Sequence, residues 1–548
     1  MKKILYTLAA ASAAVLLASC TKFLETTPTD RVSDALAWSS EEYTDMYINN
    51  FYAFIDRYGQ FGSNQFSGNL IEGLTPMLKY ASPTPGSRAG DSNNYVFYPE
   101  RITVSSNLLD IWPTTYERIR RVNEFLANLP VYSHYSPEVN LRYEAQARFF
   151  RAFLYFQLAR RYGGVVLYDN LDFSIDKARA TEAETWDLIA RDLDFAAQNL
   201  PRRWDSANEG RVTRYAAFAL KSRAMLYAER WEDAKVAADS VILNGGYALT
   251  PKYEDAFAGG NSESILEFRY DPSQKLSHAH DRYYVPYGDM LAIGIDESGG
   301  SAGPTQELVE EYEDKNGNKV DWSAWHTGSP VATRPPYENL EPRFAATVLY
   351  NGCTWKDNVM DITETGNHGR YMAYKADSYA NGRTVTGYYL RKFLDEDTDF
   401  QYIYTNGSGM TWVDIRLAEV LLNRAEAKYR LNGGGMDDVN TVRARVGLPE
   451  KSASGTAVFD AIRHERLVEL AFEGHLWWDM RRWRLADKEW NGIRVHGMKV
   501  DGTPGSYTYQ YVDADQQDRK FLTRLYTLPI PTSETDKNRL IEQYDEWK

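Results

Sequence analysis

The segment from Leu141 to Tyr162 constrains the fold of this chain more than any other stretch. Apolar side chains recur along it at steps of three and four residues, which is the period of one face of an α-helix. The recurring positions are Leu141, Ala145, Phe149, Ala152, Phe153, Phe156 and Ala159. Gly163 and Gly164 follow, and glycine commonly ends a helix. We therefore predict a long amphipathic helix, whose apolar face has to pack against other helices.

Similar helical patterns occur on both sides of this segment, and some carry start signals. Ser39 followed by Glu42 predicts a capping box for the first of these helices. Thr181 and Glu184 predict another capping box, for a helix that Pro201 closes. The predicted helices cover residues 41–57, 106–129, 182–200, 213–229, 231–243, 412–431, 437–446 and 459–483, the last with a break at Gly474.

The stretch from about residue 251 to residue 410 has a different character. Its helical period fades, while glycine, asparagine, tyrosine and tryptophan become more frequent. Two short pieces, 264–269 and 345–350, have the pattern of β-strands. We interpret this stretch as a long, irregular, loop-rich insertion.

The helices around the insertion predict a mainly α fold. Residues 213–229 and 231–243 are two alanine-rich helices joined by a tight turn, which is similar to a tetratricopeptide hairpin, although a strict repeat period is absent. We predict a tetratricopeptide-like helical scaffold over residues 41–250 and 411–548. The length of 548 residues would suit three or four domains of typical size or one elongated helical array, so the helical pattern alone leaves the number of domains open.

The amino terminus has the pattern of an export signal. Lys2 and Lys3 precede an apolar stretch over residues 4–17, which is too short for a membrane-spanning helix. The Leu-Ala-Ser-Cys sequence at its end looks like a bacterial lipobox; an ordinary signal peptide that happens to precede a cysteine is the alternative. We predict a signal peptide over residues 1–19, lipidation of Cys20 and a lipid-anchored leader over residues 20–40.

The motifs that could carry catalysis or bind metal are incomplete. His464-Glu465 begins like a zinc-protease motif, but Val468 stands where the second histidine belongs. Cys353 has no histidine at a meaningful spacing, and a lone cysteine is more often packed than reactive. Carboxylates are abundant, but the sequence singles out no glycosidase pair. We therefore predict no catalytic residue, no cofactor and no metal site.

Charge and aromatic content bear on the class of ligand. The formal net charge of −14 has the wrong sign for a protein that neutralises phosphates, so we predict no nucleic-acid partner. Tyrosine and tryptophan are common, with 39 and 14 residues against 22 phenylalanines. Their flat apolar faces and polar edges suit sugar rings, although most such rings in any protein pack inside it.

Nine sequence motifs follow one another along nearly the whole chain. They are FLETTPTD after Cys20, EAQARFFRAFLYFQLARRYGG at 144–164, RVTRYAAFALKSRAMLYAERWEDA at 211–234, LEPRFAATVLYNG at 340–352, TGYYLRKF at 386–393, DIRLAEVLLNRAEA at 414–427, VNTVRARVGLP at 439–449, AIRHERLVELAFEGHLWWDMRRW at 461–483 and YTLPIPTSETDKN at 526–538. In these motifs and their order the chain resembles the SusD/RagB family of Gram-negative outer-membrane nutrient-binding lipoproteins.

This resemblance implies a single domain from residue 41 to residue 548, in which four tetratricopeptide-like helix pairs support a variable, loop-rich face. It further implies no catalytic activity. It also implies a place on the outside of the outer membrane and a partner, a SusC-type TonB-dependent barrel to which the ligand is delivered. The expected ligand is an oligosaccharide or polysaccharide. Peptide import, as in RagB-like relatives, is the main alternative, and a surface glycosidase is a further one. The segment from Arg463 to Trp483 belongs to the scaffold on this reading, and Arg466 is expected to pair with Glu469.

The ligand-binding residues are expected in two loop-rich regions, at about residues 58–100 and 270–410. Aromatic rings there lie outside the periodic helices, so core packing explains them less well. We predict a glycan platform from Tyr80, Tyr95, Tyr98, Tyr283, Tyr284, Tyr287, Trp322 and Trp325. The expected hydrogen-bonding companions are Asn93, Asn94, Arg282 and Asp289.

Overall fold

The computed structural model describes residues 37–62, 69–81, 98–172, 174, 176–296, 299–375, 380 and 382–548. The signal peptide, the lipobox with Cys20 and most of the leader lie outside the described residues. So do three of the predicted site residues, Asn93, Asn94 and Tyr95. What the sequence indicates at these positions stays a prediction.

The described part of the chain is mainly α-helical, as predicted. Its principal helices are α1 (Glu41–Tyr58), α2 (Trp112–Tyr132), α3 (Pro137–Tyr162), α4 (Glu182–Asn199), α5 (Arg214–Tyr227), α6 (Trp231–Asn244), α7 (Leu417–Asn432), α8 (Met436–Arg445), α9 (Thr456–Glu469) and α10 (Leu476–Arg482). Helices α2 to α6 each pack on the next helix of the chain, and α7 packs on α6. The scaffold is thus continuous across the insertion.

Helix α3 lies at the centre of this scaffold. It contacts α1, α2, α4 and α5. Phe149, Phe150, Phe153 and Phe156 are completely buried. Burial of a phenylalanine side chain contributes roughly 1.5–3 kcal/mol, so this helix is a main source of the stability of the scaffold.

Capping side chains define two of the helix starts. At α4, the Thr181 hydroxyl accepts from the Glu184 N–H at 3.2 Å, and the Glu184 carboxylate accepts from the Thr181 N–H at 2.8 Å. The predicted capping box is therefore confirmed. At α1 the cap is Ser40, which accepts from the Tyr43 N–H at 3.3 Å, so the prediction of Ser39 was wrong by one residue.

Two helices begin later than their apolar pattern indicated. Helix α2 starts at Trp112, because Pro113 occupies the first turn, where its missing N–H costs no hydrogen bond. Helix α7 starts at Leu417, because the five residues before it form strand β8 (Trp412–Arg416). Strand β8 pairs antiparallel with β2 (Ser264–Phe268), a partner far away in sequence. Local periodicity does not reveal such a pairing.

The predicted break at Gly474 is confirmed. The helical pattern over residues 459–483 is divided between α9 and α10, and Gly474 between them has a φ of 81°. A residue without a Cβ adopts this left-handed conformation most easily. The Gly474 N–H donates to the Glu72 carboxylate at 2.7 Å, which ties the break to the first loop region.

Short elements connect the helices. The remaining strands are β1 (Leu78–Tyr80), β3 (Ala302–Pro304), β4 (Val348–Leu349), β5 (Thr354–Trp355), β6 (Asn358–Val359), β7 (Tyr389–Leu390), β9 (His496–Asp501) and β10 (Thr508–Asp513). The short helices are His280–Tyr284, Tyr287–Ala292, Gln306–Val309, Pro342–Thr347, Phe400–Asn406, Ala486–Glu489 and Thr532–Lys537, and single 3₁₀ turns lie at Ile71–Leu74, Pro99–Arg101, Glu254–Phe257, Pro272–Gln274, Tyr337–Asn339, Thr523–Tyr526 and Asp545–Trp547. Of the predicted strand over residues 345–350, only β4 is extended.

The hairpin of β9 and β10 joins the insertion, although it lies in the part of the sequence assigned to the scaffold. Val331 and Tyr509 exchange two backbone hydrogen bonds of 2.8 Å. The Met498 N–H donates to the Thr386 carbonyl, also at 2.8 Å. The loop-rich face is therefore built from two segments that are distant in sequence.

A buried ion network fixes the insertion to the scaffold. Arg416 lies 2.8 Å from Glu263, and 2.6 Å from each of Glu469 and Glu473. Arg343 of the insertion reaches Glu469 at 3.0 Å. Burial raises the pKa of Glu469, but the surrounding arginines outweigh this effect and hold the pKa well below its usual range. The Glu469 carboxylate therefore stays charged at neutral pH, as buried pairing requires.

The predicted pair of Arg466 with Glu469 is wrong. The Arg466 guanidinium binds Asp479 of α10 at 2.8 Å and the Asn423 side chain of α7 at 2.9 Å. Glu469 is taken by arginines of other elements, among them Arg343. Both residues are buried, so tertiary partners replace the contact along the helix that an exposed pair would make.

Candidate functional site

A tight hairpin with an unusual backbone projects from the loop-rich face. Strands β5 and β6 are joined by Lys356 and Asp357 alone, with φ values of 44° and 64°. Two-residue hairpins favour positive φ at both turn positions, but glycine or asparagine usually occupies them. Lysine in this conformation is uncommon and often marks a functional segment. The Lys356 ammonium donates to the Thr398 carbonyl at 3.0 Å, which holds the turn against the insertion.

Two cavities lie beside this hairpin and share His368. We name them the Tyr507 cavity and the Asp289 cavity. The Tyr507 cavity, of about 640 Å³, is lined by Ala332, Arg334, Gly352, Val359, Asp361, Asn367, His368, Pro504, Gly505, Tyr507 and Tyr509. The Asp289 cavity, of about 370 Å³, is lined by Gly288, Asp289, Ala292, Trp355, Lys356, Asp357, Asn358, His368, Glu396, Asp397, Thr398, Asp399 and Phe400.

The Tyr507 cavity combines one accessible aromatic ring with several polar groups. Tyr507 is half-buried, whereas the neighbouring Tyr509 is buried in the core. Burial, and then the nearby Asp361 carboxylate and Tyr509, raise the pKa of Tyr507, while Arg334 opposes the shift. The Tyr507 hydroxyl therefore stays protonated at neutral pH and can donate a hydrogen bond. Asn367 and Arg334 are exposed at the rim and supply further donors.

The lining of the Asp289 cavity is more polar than that of the Tyr507 cavity, and several of its side chains contact one another. The Trp355 indole N–H donates to the Asp289 carboxylate at 2.7 Å, and the Lys356 ammonium lies 3.7 Å from it. Burial raises the pKa of Asp289, although Lys356 and Trp355 oppose the shift. Gly288 is necessary at the wall, because a Cβ there would lie 2.7 Å from the His368 backbone. The wall of this cavity is thus held by contacts within the protein.

The arrangement is suited to binding a neutral, hydroxyl-rich molecule. A partly accessible tyrosine offers an apolar face, and carboxylate, amide, imidazole and guanidinium groups around it can exchange hydrogen bonds with hydroxyls. A volume of about 640 Å³ lies within the range of small-molecule sites. The shared His368 allows a ligand longer than one ring to touch both cavities.

Most of the predicted aromatic residues lie elsewhere and are packed in the core. The Tyr80 and Tyr284 hydroxyls are 3.2 Å apart, and both residues are buried. Tyr98 is buried and donates to the Asp515 carboxylate at 2.9 Å. Tyr283 is half-buried on the same short helix as Tyr284. These four rings do not form a common surface.

The two predicted tryptophans pack against one another. Trp322 and Trp325 are only 3% and 8% exposed, and their ring centroids lie 5.7 Å apart. The Trp325 indole donates to the Thr333 carbonyl at 2.9 Å. Tyr337 continues this aromatic cluster at 6.3 Å from Trp322. In this conformation neither tryptophan has a ring face open to a ligand.

The remaining predicted residues are closer to the two cavities. Asp289 lines the second cavity, and Tyr287 begins the same short helix. The Tyr287 ring is buried, and its hydroxyl accepts from Arg370 at 3.1 Å. Arg282 lies over the Tyr404 ring at 4.7 Å and lines neither cavity. Of the described predicted residues, only Asp289 is therefore part of the candidate site.

The sequence prediction missed Tyr507, His368 and Asn367. A signal for the first was present, because a Pro-Gly-Ser-Tyr turn separates two stretches of alternating residues at 496–501 and 508–513. The turn lies within residues 411–548, which the helical pattern predicts to be scaffold. What brings Tyr507 to the insertion is the pairing of Val331 with Tyr509, which no local pattern reveals.

Some other expectations can be compared with the described residues. Cys353 is buried, and burial raises the pKa of its thiol to about 11, so the thiolate that a nucleophile needs is not formed at neutral pH. Among the residues that the structure describes, no group of three or more histidine, cysteine or carboxylate side chains could hold a metal ion. Over the same residues, no helix combines the length and the apolar character needed to cross a membrane.

Two family models match the chain. A model described as the SusD family matches residues 262–547, just over half of the sequence. A second model, described as "Starch-binding associating with outer membrane", matches residues 22–226. The two matches lie one after the other and together cover most of the chain.

Individual relatives match over almost their full lengths. A SusD-like protein of Bacteroides ovatus is 24% identical over 97% of this chain and 96% of its own. The crystal structure of a SusD-like protein from Bacteroides fragilis has 26% identity and a TM-score of 0.78, covering 94% of this chain and 98% of the other. That of a SusD-like carbohydrate binding protein from the same species has 24% identity and a TM-score of 0.72, covering 92% and 99%. The predicted tetratricopeptide-like fold is thereby confirmed, and the chain belongs to the SusD family.

Proposed function

We propose that this protein captures an oligosaccharide or polysaccharide at the outer surface of the outer membrane and delivers it to a SusC-type TonB-dependent barrel. The observation that carries the proposal is the Tyr507 cavity, in which an accessible aromatic ring is surrounded by hydrogen-bonding groups on the loop-rich face. Stacking on the ring fixes the plane of a sugar, and the polar groups select its hydroxyls.

The comparisons support this ligand class. The family model over residues 22–226 is described as "Starch-binding associating with outer membrane", and one of the similar structures is named a carbohydrate binding protein. Neither description fixes the sugar bound by this chain. The residues of the Tyr507 cavity, and not those of a relative, therefore form the proposed site.

We propose that the ligand is bound and not cleaved. Asp289, which lines one of the two cavities, is a carboxylate whose raised pKa would suit a general acid. Its carboxylate, however, already accepts from the Trp355 indole and lies beside the Lys356 ammonium. These contacts assign it a role in holding the hairpin. The alternative, a surface glycosidase with Asp289 as its acid, would require Asp289 to be released from both partners.

The anchor and the partner are proposed from the sequence and the scaffold. The Leu-Ala-Ser-Cys20 sequence supports a lipid anchor, since several acyl chains on one cysteine hold a protein stably on a membrane. Stacked helical pairs present extended surfaces of the kind that bind other proteins. A SusC-type barrel is the partner that membership of the family implies.

The experiment that tests the function uses the full chain, purified in mild detergent, on an array of neutral oligosaccharides and of peptides. We expect retention of one group of oligosaccharides and no release of new reducing ends after prolonged incubation. Retention of peptides alone would replace the proposal with RagB-like peptide import. If the wild type releases reducing ends and the Asp289→Asn variant does not, the protein is a glycosidase.

A further inference from the structure

The Tyr507 cavity and the Asp289 cavity meet at one side chain. Among the described residues, His368 is the only one that lines both of them. Their volumes of about 640 Å³ and about 370 Å³ each fall within the range of sites that hold a small molecule. Each cavity is therefore large enough to receive a part of one longer ligand.

The β5–β6 hairpin separates the two cavities. In strand β6, Asn358 lines the Asp289 cavity, and the next residue, Val359, lines the Tyr507 cavity. Successive side chains of a strand point to opposite faces, so the hairpin is a wall with one cavity on each side. Val359 is 63% exposed and adds apolar surface to the cavity that holds the accessible Tyr507 ring. A ligand that fills both cavities has to pass this wall at His368.

The backbone around His368 is fixed by two other segments. The Gly288 N–H donates to the His368 carbonyl at 3.0 Å, and the Gly369 N–H donates to the Asp361 carbonyl, also at 3.0 Å. At Gly366 a Cβ would lie only 2.0 Å from the Asp361 carbonyl oxygen, so this close approach requires glycine. A side chain on a backbone that is already ordered loses less conformational entropy when it binds a ligand.

The His368 side chain is available to a ligand. The residue is half-buried, and among the described residues no hydrogen bond, ion pair or ring contact involves its imidazole. The side-chain amide of the exposed Asn367 and the Tyr507 hydroxyl are likewise without a partner among the described residues. Both nitrogens of an imidazole can make hydrogen bonds, so one histidine can bond the hydroxyls of two neighbouring sugar units.

We propose that a single oligosaccharide occupies both cavities and that His368 binds two consecutive sugar units where the chain passes the hairpin. This inference rests on the proposed glycan function and adds the class of ligand. The ligand is an oligosaccharide of at least two units, or an internal stretch of a polysaccharide, and not a monosaccharide. Contacts in the second cavity then form within a molecule that is already bound, which raises the affinity for the longer chain.

Isothermal titration of the full chain in mild detergent tests the preferred length. The probe is a ladder, from one to six sugar units, of the oligosaccharide that the array retains most strongly. We expect the Kd to fall at least tenfold between the monosaccharide and the length that reaches both cavities, and then to remain constant. Equal Kd values at every length would overturn this inference and leave the proposed function standing. Absence of binding at every length would overturn both.

Replacement of His368 tests its role at the junction. His368→Ala should weaken binding of the longer members of the ladder roughly tenfold, the size of effect expected from the loss of one hydrogen bond. His368→Gln keeps a donor and an acceptor and should recover part of this loss. His134→Ala, at an exposed histidine that lines neither cavity, is the matched control and should bind as the wild type does.

Variants on the two sides of the hairpin separate one extended site from a single cavity. Tyr507→Ala should weaken binding at every length, because the stacking ring is lost. Asn358→Ala should weaken binding of the longer members alone, since this exposed residue lines only the Asp289 cavity. Circular dichroism checks that each variant is folded. If His368→Ala and Asn358→Ala both bind the longer members as tightly as the wild type does, the inference is overturned.

Discussion

Two aromatic residues of the loop-rich face, Tyr507 and Trp322, have different proposed roles because their side chains are buried to different extents. Tyr507 and Trp322 are both aromatic and both lie on segments of the loop-rich face. Tyr507 is half-buried at the wall of a cavity, whereas Trp322 is 3% exposed inside an aromatic cluster. The sequence shows the residue type at each position, but not which faces of a ring its neighbours cover.

Replacement of Tyr507 tests the role of its ring. We expect Tyr507→Ala to weaken oligosaccharide binding by roughly 1–3 kcal/mol, by analogy with the stacking of bases on aromatic side chains. Tyr507→Phe keeps the ring and should lose less. Tyr132→Ala removes an exposed tyrosine of the scaffold and is the matched control. Titration calorimetry with an oligosaccharide selected on the array measures all three, and unchanged affinity in Tyr507→Ala would exclude stacking at this position.

Replacement of Trp322 should act on stability and not on direct ligand contact. Because its ring is almost fully buried, Trp322→Ala is expected to lower the free energy of unfolding by roughly 3–5 kcal/mol. Urea denaturation followed by circular dichroism measures this change. A stable Trp322→Ala protein with strongly reduced glycan affinity would restore the tryptophan to the platform predicted from the sequence.

At the scale of elements, local signals predicted the helices well. The helix over Leu141–Tyr162 and the capping box at Thr181 were found because a helix depends on contacts within a few residues. The elements that depend on distant partners were not found, as β8 shows by pairing with β2. The Tyr507 cavity belongs to this second class, because the bridge between Val331 and Tyr509 assembles it.

Buried ionisable side chains with shifted pKa values predict that the folded protein loses stability in acid. Burial lowers the pKa of His278 from 6.5 to about 4, so the unfolded chain binds a proton before the folded protein does. Stability is therefore expected to fall as the pH decreases from about 6.5 to about 4, by roughly 3 kcal/mol for this group. Burial alone would raise the pKa of Glu473, but Arg416 and Lys392 outweigh burial and lower this pKa from 4.5 to about 2. The stability that the charged Glu473 contributes is therefore lost as the pH falls from about 4.5 to about 2.

Urea denaturation at a series of pH values checks this expectation. His278→Gln should flatten the dependence of stability on pH between 6.5 and 4. His134→Gln, at an exposed histidine, is the control and should retain the slope of the wild type. An identical slope in the wild type and His278→Gln would contradict the assignment of this window to His278.

On the scale of the whole molecule, the loop-rich face that carries the proposed glycan site is joined to the helical scaffold. This face holds the two cavities around the β5–β6 hairpin. The ion network around Arg416 and Glu469 is buried and joins the two parts. If the scaffold binds the proposed barrel, these ion pairs hold a ligand at the loop-rich face in a defined position relative to that barrel.

The anchor is a further prediction at this scale. If Leu-Ala-Ser-Cys20 is a lipobox, the mature protein begins at an acylated Cys20. Mass spectrometry of the protein extracted from membranes should find this modified terminus. A Cys20→Ala variant should be released from the membrane fraction, and an unmodified amino terminus elsewhere in the wild-type protein would contradict the prediction.

Hydrogen–deuterium exchange of the full chain, with and without its best-bound oligosaccharide from the array, locates the glycan site. If the Tyr507 cavity binds the glycan, the ligand should slow exchange at the β5–β6 hairpin, around Asn367 and His368, and in the turn that carries Tyr507. Exchange in α3 should be unchanged. Protection confined to other segments would contradict the claim that the Tyr507 cavity binds the glycan.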